Sequence, residues 1–103
     1  MSKITVFMEY KVKNECVQEY EKLMKEFARA LSTYDANHFQ WFQAADQEGL
    51  YVEMFDVPTL SHYHTLKKWR RSKEHSLFKK LDEHVVGGLE KVNCWAFLRK
   101  DVK

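Results

Sequence analysis

The order in which hydrophobic spacing changes along the chain constrains its fold more than any motif does. Residues 3–12 alternate, with Ile4, Val6, Met8, Tyr10 and Val12 on one side and Thr5, Phe7, Glu9 and Lys11 on the other. A period of two over that length is a strand. From Val17 the apolar steps become three and four: Val17, Tyr20, Met24, Phe27, Leu31 and Tyr34 trace one helical stripe, widened by Leu23, Ala28 and Ala30. Asn14 is the expected N-cap of this helix, and Glu15 suits its positive start.

Residues 37–45 read as a second strand, residues 46–49 as a turn, and residues 50–55 as a third strand, a hairpin signal. Asp56 is the expected cap of the next helix, with Pro58 in its first turn. Helical spacing then predicts two segments, 57–70 and 73–85, with a bend between them and Ser72 as a fresh N-cap. Gly87-Gly88 stops the helix, and residues 89–99 alternate again. The order is βαββαβ, a ferredoxin-like α+β arrangement. Right-handed crossovers place the strands 4-1-3-2 in one four-stranded antiparallel sheet, and residues 1–103 suffice for a single domain.

The outward positions of these strands are too apolar for one chain. The third strand offers Leu50, Val52 and Met54 on one side and Tyr51, Phe55 and Val57 on the other, yet one helical layer covers only one face. Each large side chain left in water forgoes about 1.5–3 kcal/mol of burial. A second copy packed sheet to sheet would cover such a face, with Phe55 and Trp95 as candidate contacts, and the expected assembly is a homodimeric α/β barrel. A monomer with an unusually apolar face is the alternative.

Composition excludes several classes. Hydrophobic residues make up 45% and charged ones 31%, as in a globular protein, and there are only 3 Gly and 1 Pro for linkers. Residues 1–6 hold no secretory h-region and no apolar run is long enough for a bilayer. Cys16 and Cys94 form no CxxC pair and are expected as reduced thiols, so a cytoplasmic protein with no membrane partner is expected. The net charge is +2, which does not call for nucleic acid. The local run Lys67-Lys68-Trp69-Arg70-Arg71-Ser72-Lys73 is either a solvated surface or a contact for an anionic partner.

One run of residues carries a resemblance. Glu53-Met54-Phe55-Asp56, then Tyr63-His64, then Ser72-Lys73-Glu74-His75-Ser76-Leu77-Phe78 resembles the antibiotic-biosynthesis-monooxygenase-like family. The resemblance implies a dimeric α/β barrel with a pocket between sheet and helices. It also implies oxygenation of a small aromatic or quinol-type compound without a cofactor. No Pro precedes His75, unlike the family pattern. A haem-degrading branch of the same superfamily fits less well, since Asp82 stands where its ligand His belongs, Glu9 or Tyr10 where its Asn belongs, and only its Trp has a counterpart, Trp69.

Within that frame His64 and His75 are the candidate acid–base residues, and Trp69, Tyr63, Phe78 and Trp41 the candidate pocket walls. His64 shares a stripe with Leu60 and is expected to point inward. Core packing without a ligand explains the same aromatics and is the commoner case. The five histidines, His38, His62, His64, His75 and His84, show no helical i, i+4 metal pair. No metal or other cofactor is therefore expected. A non-catalytic ligand-binding or scaffold dimer is the competing function.

Overall fold

The structure is a computed structural model describing residues 3–102. Met1, Ser2 and Lys103, the ends of the domain expected from the sequence, lie outside them. Strand β1 (Ile4–Lys11) leads through a 3-10 turn at Asn14–Cys16 into helix α1 (Val17–Thr33). Strands β2 (Asn37–Gln43) and β3 (Leu50–Val57) form the hairpin, helix α2 (Leu60–Arg70) follows, and β4 (Asn93–Leu98) closes the sheet. The sheet order is β2-β3-β1-β4, all neighbours antiparallel, which is the 4-1-3-2 order predicted from handedness. This is the ferredoxin-like fold.

The alternation of β1 is realised residue by residue: Ile4, Val6, Met8, Tyr10 and Val12 are buried against the helices. On α1, Tyr20, Leu23, Met24, Phe27 and Leu31 face the same core. That helix ends by a left-handed residue, Asp35 at φ 64°, which lets the Ala36 amide reach the Leu31 carbonyl at 3.1 Å.

Three local expectations are corrected. Helix α2 is capped by Thr59, whose hydroxyl accepts the His62 amide at 3.2 Å, so Pro58 precedes the cap. Asp56 instead stays in β3 and binds Thr5 and His38. Asn14 lies in the 3-10 turn, and α1 starts at Val17.

Residues 73–77 are not helical, and only Phe78–Glu83 coil, as a 3-10 turn. The cause is side-chain competition for backbone groups. The Ser72 hydroxyl donates back to the Lys68 carbonyl at 2.7 Å rather than capping forward, and His75 Nδ1 accepts the amides of Leu77 and Phe78 at 3.1 and 3.3 Å. Phe78 and Leu81, three apart, then align on the buried side of a three-residue-per-turn coil.

The other sheet face is uncovered. Phe7, Val52 and Met54 are half-buried on it, while Trp95 and Phe97 remain 45% and 52% exposed. Phe7 stacks on Trp95 at 5.6 Å between ring centres and meets the edge of Phe97 at 6.2 Å. Phe55, expected here, is under the helices and 1% exposed, because β3 alternation groups it with Tyr51 and Val57.

Candidate functional site

The space between sheet and helices, where the sequence leads one to expect a pocket, is filled. Tyr10, Tyr20, Phe27, Glu53, Arg70 and Phe78 occupy it, each 2% exposed or less. Arg70 donates to both carboxylate oxygens of Glu53, Nη1 to Oε1 at 2.8 Å and Nη2 to Oε2 at 2.6 Å, and its guanidinium lies 4.8 Å from the Phe27 ring centre and 5.4 Å from that of Phe78. Because the carboxylate accepts only, a relay of donors converges on it: Trp41 Nε1 donates to the Tyr20 hydroxyl at 2.8 Å, the Tyr20 and Tyr10 hydroxyls bond at 2.7 Å, and Tyr10 bonds to Glu53. Burial, then the Glu53 charge, holds both tyrosines well above their ordinary value of 10. Burial alone would lower Arg70, but the Glu53 carboxylate more than reverses it. Desolvated ions that hold each other through two bonds, with only Arg70 Nε unpartnered, make a structural centre.

Trp69, one of the expected pocket residues, instead borders an opening between the end of α1 and α2. It is a groove of about 300 Å³ lined by Thr33, Tyr34, Asp35, Ser61, His62, Thr65, Leu66 and Trp69. Tyr34 and Trp69 form its aromatic wall, edge to face at 4.9 Å. His75 braces that wall: its ring lies 5.1 Å from Trp69 and stacks on Phe78 at 4.2 Å, and Nε2 bonds to the Tyr34 hydroxyl at 2.8 Å. Since Nδ1 accepts two amides, Nε2 carries the proton and donates to Tyr34. Burial lowers the His75 pKa from its ordinary 6.5, which favours this neutral form.

The polar end of the groove belongs to residues the sequence reading passed over. His62 Nε2 faces Asp35 Oδ2 at 3.2 Å, and His62 Nδ1 faces the Thr59 hydroxyl at 2.7 Å. Both partners sit where helix ends put them, Asp35 after α1 and Thr59 at the cap of α2. No hydrophobic period signals such positions.

The structure therefore brings Trp69, His75 and Phe78 together and separates the other candidates. Phe78 is 0% exposed core behind the wall. Tyr63 is buried, donating to the Cys94 carbonyl at 3.3 Å. Trp41 stacks on Tyr51 at 6.0 Å, beside β2 and β3. His64 is exposed, correcting its expected inward orientation: Tyr63, Leu66 and Arg70 form the buried stripe of α2, and Leu60, its supposed inward partner, is 54% exposed.

The basic run is also resolved by its contacts. Arg70 is buried with Glu53, and Arg71 donates to the carbonyls of Val92 and Glu90 at 2.8 and 2.9 Å. Lys68 lies 3.5 Å from Glu74, and Lys73 lies 3.5 Å from Asp82. A stripe of unengaged cations, as a phosphate backbone needs, does not form. Among the described residues no three His, Cys, Asp or Glu side chains gather as a metal group, and no helix is long and apolar enough to cross a membrane.

No protein-family model and no curated protein matches this sequence. Solved structures do resemble it across nearly the whole chain. A conserved protein of Methanosarcina mazei Go1 has TM-score 0.70 at 20% identity, covering 97% of this chain and 95% of its own. A proposed antibiotic biosynthesis monooxygenase of Caulobacter crescentus CB15 has TM-score 0.71 at 16% identity, with coverage of 97% and 92%. A dimeric ferredoxin-like protein from an uncultured marine organism has TM-score 0.62 at 12% identity, with coverage of 100% and 92%. At these identities the likeness is one of fold.

Proposed function

We propose that the protein is a cytoplasmic homodimeric α/β barrel that binds a small aromatic or quinol-type compound in the α1–α2 groove. Its reaction, on this reading, is monooxygenase-like and needs no cofactor. The observation that carries the binding step is the edge-to-face pair Tyr34–Trp69, braced by His75 and opening on a groove of about 300 Å³. A planar ring gains stacking area there, worth about 0.5–1.5 kcal/mol beyond burial. His75 acts as a positioning residue in this scheme, because both its ring nitrogens are engaged by the protein itself. His64 stands outside the groove, and any catalytic part for it requires the second copy to bring a surface against α2. The fold shared with the Caulobacter crescentus protein supports the choice of reaction.

The test is a pair of measurements with a naphthoquinol as probe, binding by calorimetry and oxygen uptake by electrode. Binding that weakens severalfold in Trp69→Ala, together with oxygen consumption by the wild type, supports the full reading. Binding without oxygen consumption favours the second reading, a non-catalytic ligand-binding dimer. The solvent-open shape of the groove favours that reading, since it does not by itself exclude water from a substrate anion.

A further inference from the structure

The aromatic groove between α1 and α2 carries charge at one end. Among the described residues that line it, Asp35 is the one carboxylate, and none is Lys or Arg. Asp35 follows α1 in the left-handed conformation that ends the helix, at φ 64°, and its carboxylate meets the first turn of α2 at His62. The groove lies among the helices, on the opposite side of the sheet from Trp95 and Phe97. A second copy packed on that sheet face therefore leaves the groove open.

The hydrogen bonds around Asp35 determine which of its oxygens is free. The Thr59 hydroxyl accepts the His62 amide at 3.2 Å and gives its own proton to His62 Nδ1, 2.7 Å away. Nε2 then carries the ring proton and donates it to Asp35 Oδ2 at 3.2 Å. Among the described residues Asp35 Oδ1 has no hydrogen-bond partner, and the side chain is 69% exposed. The hydroxyls of Ser61 and Thr65 line the same groove, and neither makes a side-chain hydrogen bond to another described residue. The polar end of the groove is thus rich in acceptors, while its wall is the Tyr34–Trp69 pair.

We infer that the groove selects an aromatic compound bearing a primary ammonium on a short arm, and that Asp35 determines this preference. The ring lies against Tyr34 and Trp69, and the ammonium sits at the mouth beside Asp35 Oδ1. The carboxylate attracts a cation and repels an anion. The aromatic wall acts in the same direction, because ring faces carry a negative quadrupole. An ammonium presents three N–H donors and no acceptor, which matches a carboxylate oxygen and two hydroxyls. Since the Asp35 end is exposed, the charged head keeps part of its hydration while the ring is buried, and the desolvation cost stays low. A groove of about 300 Å³ is at the small end of ligand sites, which suits one ring with a two-carbon arm. This inference rests on the reading of the groove as a site for small aromatic compounds, and it holds whether or not the ligand is oxygenated.

The experiment measures, by calorimetry, the binding of three phenols that share a ring and differ in the arm: tyramine, 4-ethylphenol and 4-hydroxyphenylacetate. At pH 8 and low salt, tyramine should bind about three- to tenfold more tightly than 4-ethylphenol, as an exposed ion pair with a cation–π contribution allows. The anionic 4-hydroxyphenylacetate should bind most weakly. Added salt should narrow the tyramine advantage, a test that needs no substitution. In Asp35→Asn the advantage should vanish, and because Asn tolerates the left-handed conformation this variant should melt as the wild type does. Trp69→Ala should weaken tyramine and 4-ethylphenol alike. Equal binding of tyramine and 4-ethylphenol by the wild type, or an advantage retained in Asp35→Asn, overturns the ammonium class, while a common loss in Trp69→Ala would still uphold the groove as an aromatic site. Absence of binding by all three phenols removes the groove as an aromatic site and this inference with it.

Discussion

Arg70 Nη2 donates to Glu53 Oε2 at 2.6 Å with both side chains at 0% exposure, so one ion pair joins α2 to the middle of the sheet. The pair is nearly complete: Tyr10 adds a third bond to Glu53, and only Arg70 Nε lacks a partner. Removing one ion leaves the other buried and uncompensated. Arg70→Ala or Glu53→Ala is expected to cost about 3–5 kcal/mol in urea unfolding. The double variant Glu53→Leu/Arg70→Met should recover much of that loss, because volume is kept and no charge remains buried. A double variant as unstable as the singles would show that the pair does more than compensate its own desolvation.

The uncovered face gives a prediction about assembly that uses two aromatics as opposites. Trp95 is 45% exposed beside Phe7, and Phe55 is 1% exposed under the helices. If a second copy covers the face, light scattering at micromolar concentration should give about twice 12.4 kDa. Trp95→Glu should then yield a folded monomer, since its charge reaches water once the partner leaves. Phe55→Glu should unfold the chain, since its charge cannot. A wild-type monomer at that concentration would remove the dimeric barrel from the proposed function.

The alternation and stripe spacing that made element order and sheet order legible also held the signs of the Glu53–Arg70 centre. Glu53 lies on the inward side of β3 between Tyr51 and Phe55, and Arg70 continues the buried stripe of Tyr63 and Leu66. A charge on each of two core-facing patterns is the signature of a buried pair. The groove and the His38–Asp56 contact were not legible for a different reason. Asp35, Thr59 and His38 owe their positions to helix ends and a bulge, whose geometry no hydrophobic period records. The 73–85 segment was misread because its apolar spacing serves a 3-10 turn as well as an α-helix.

The groove wall should be sensitive to acid. His75 is neutral, its Nδ1 accepts two amides, and burial lowers its pKa from 6.5. A group whose folded pKa is depressed contributes stability that is present above its unfolded value and lost as pH falls through the folded one. Stability should therefore begin to fall below pH 6.5, and this contribution should be gone once the pH is below the folded value. In thermal melts between pH 7.5 and 5, His75→Gln should be less stable than the wild type at pH 7.5 and lose less on acidification. Parallel curves for the two proteins would remove His75 from the account.

The two thiols should differ in chemistry. Cys94 is 5% exposed on the inner side of β4, and burial pushes its thiol up to about 11. The nucleophile in thiol–disulfide exchange is the thiolate, so Cys94 combines restricted access with a small reactive fraction at neutral pH. Cys16 lies in the 3-10 turn before α1, half-buried. In native protein at pH 8, an aromatic disulfide reagent should therefore titrate one thiol per chain promptly and the second only on unfolding. Cys16→Ser should abolish the prompt phase and Cys94→Ser should leave it unchanged. Prompt reaction of both thiols would mean that β4 opens readily, which the burial of Cys94 and Val92 argues against.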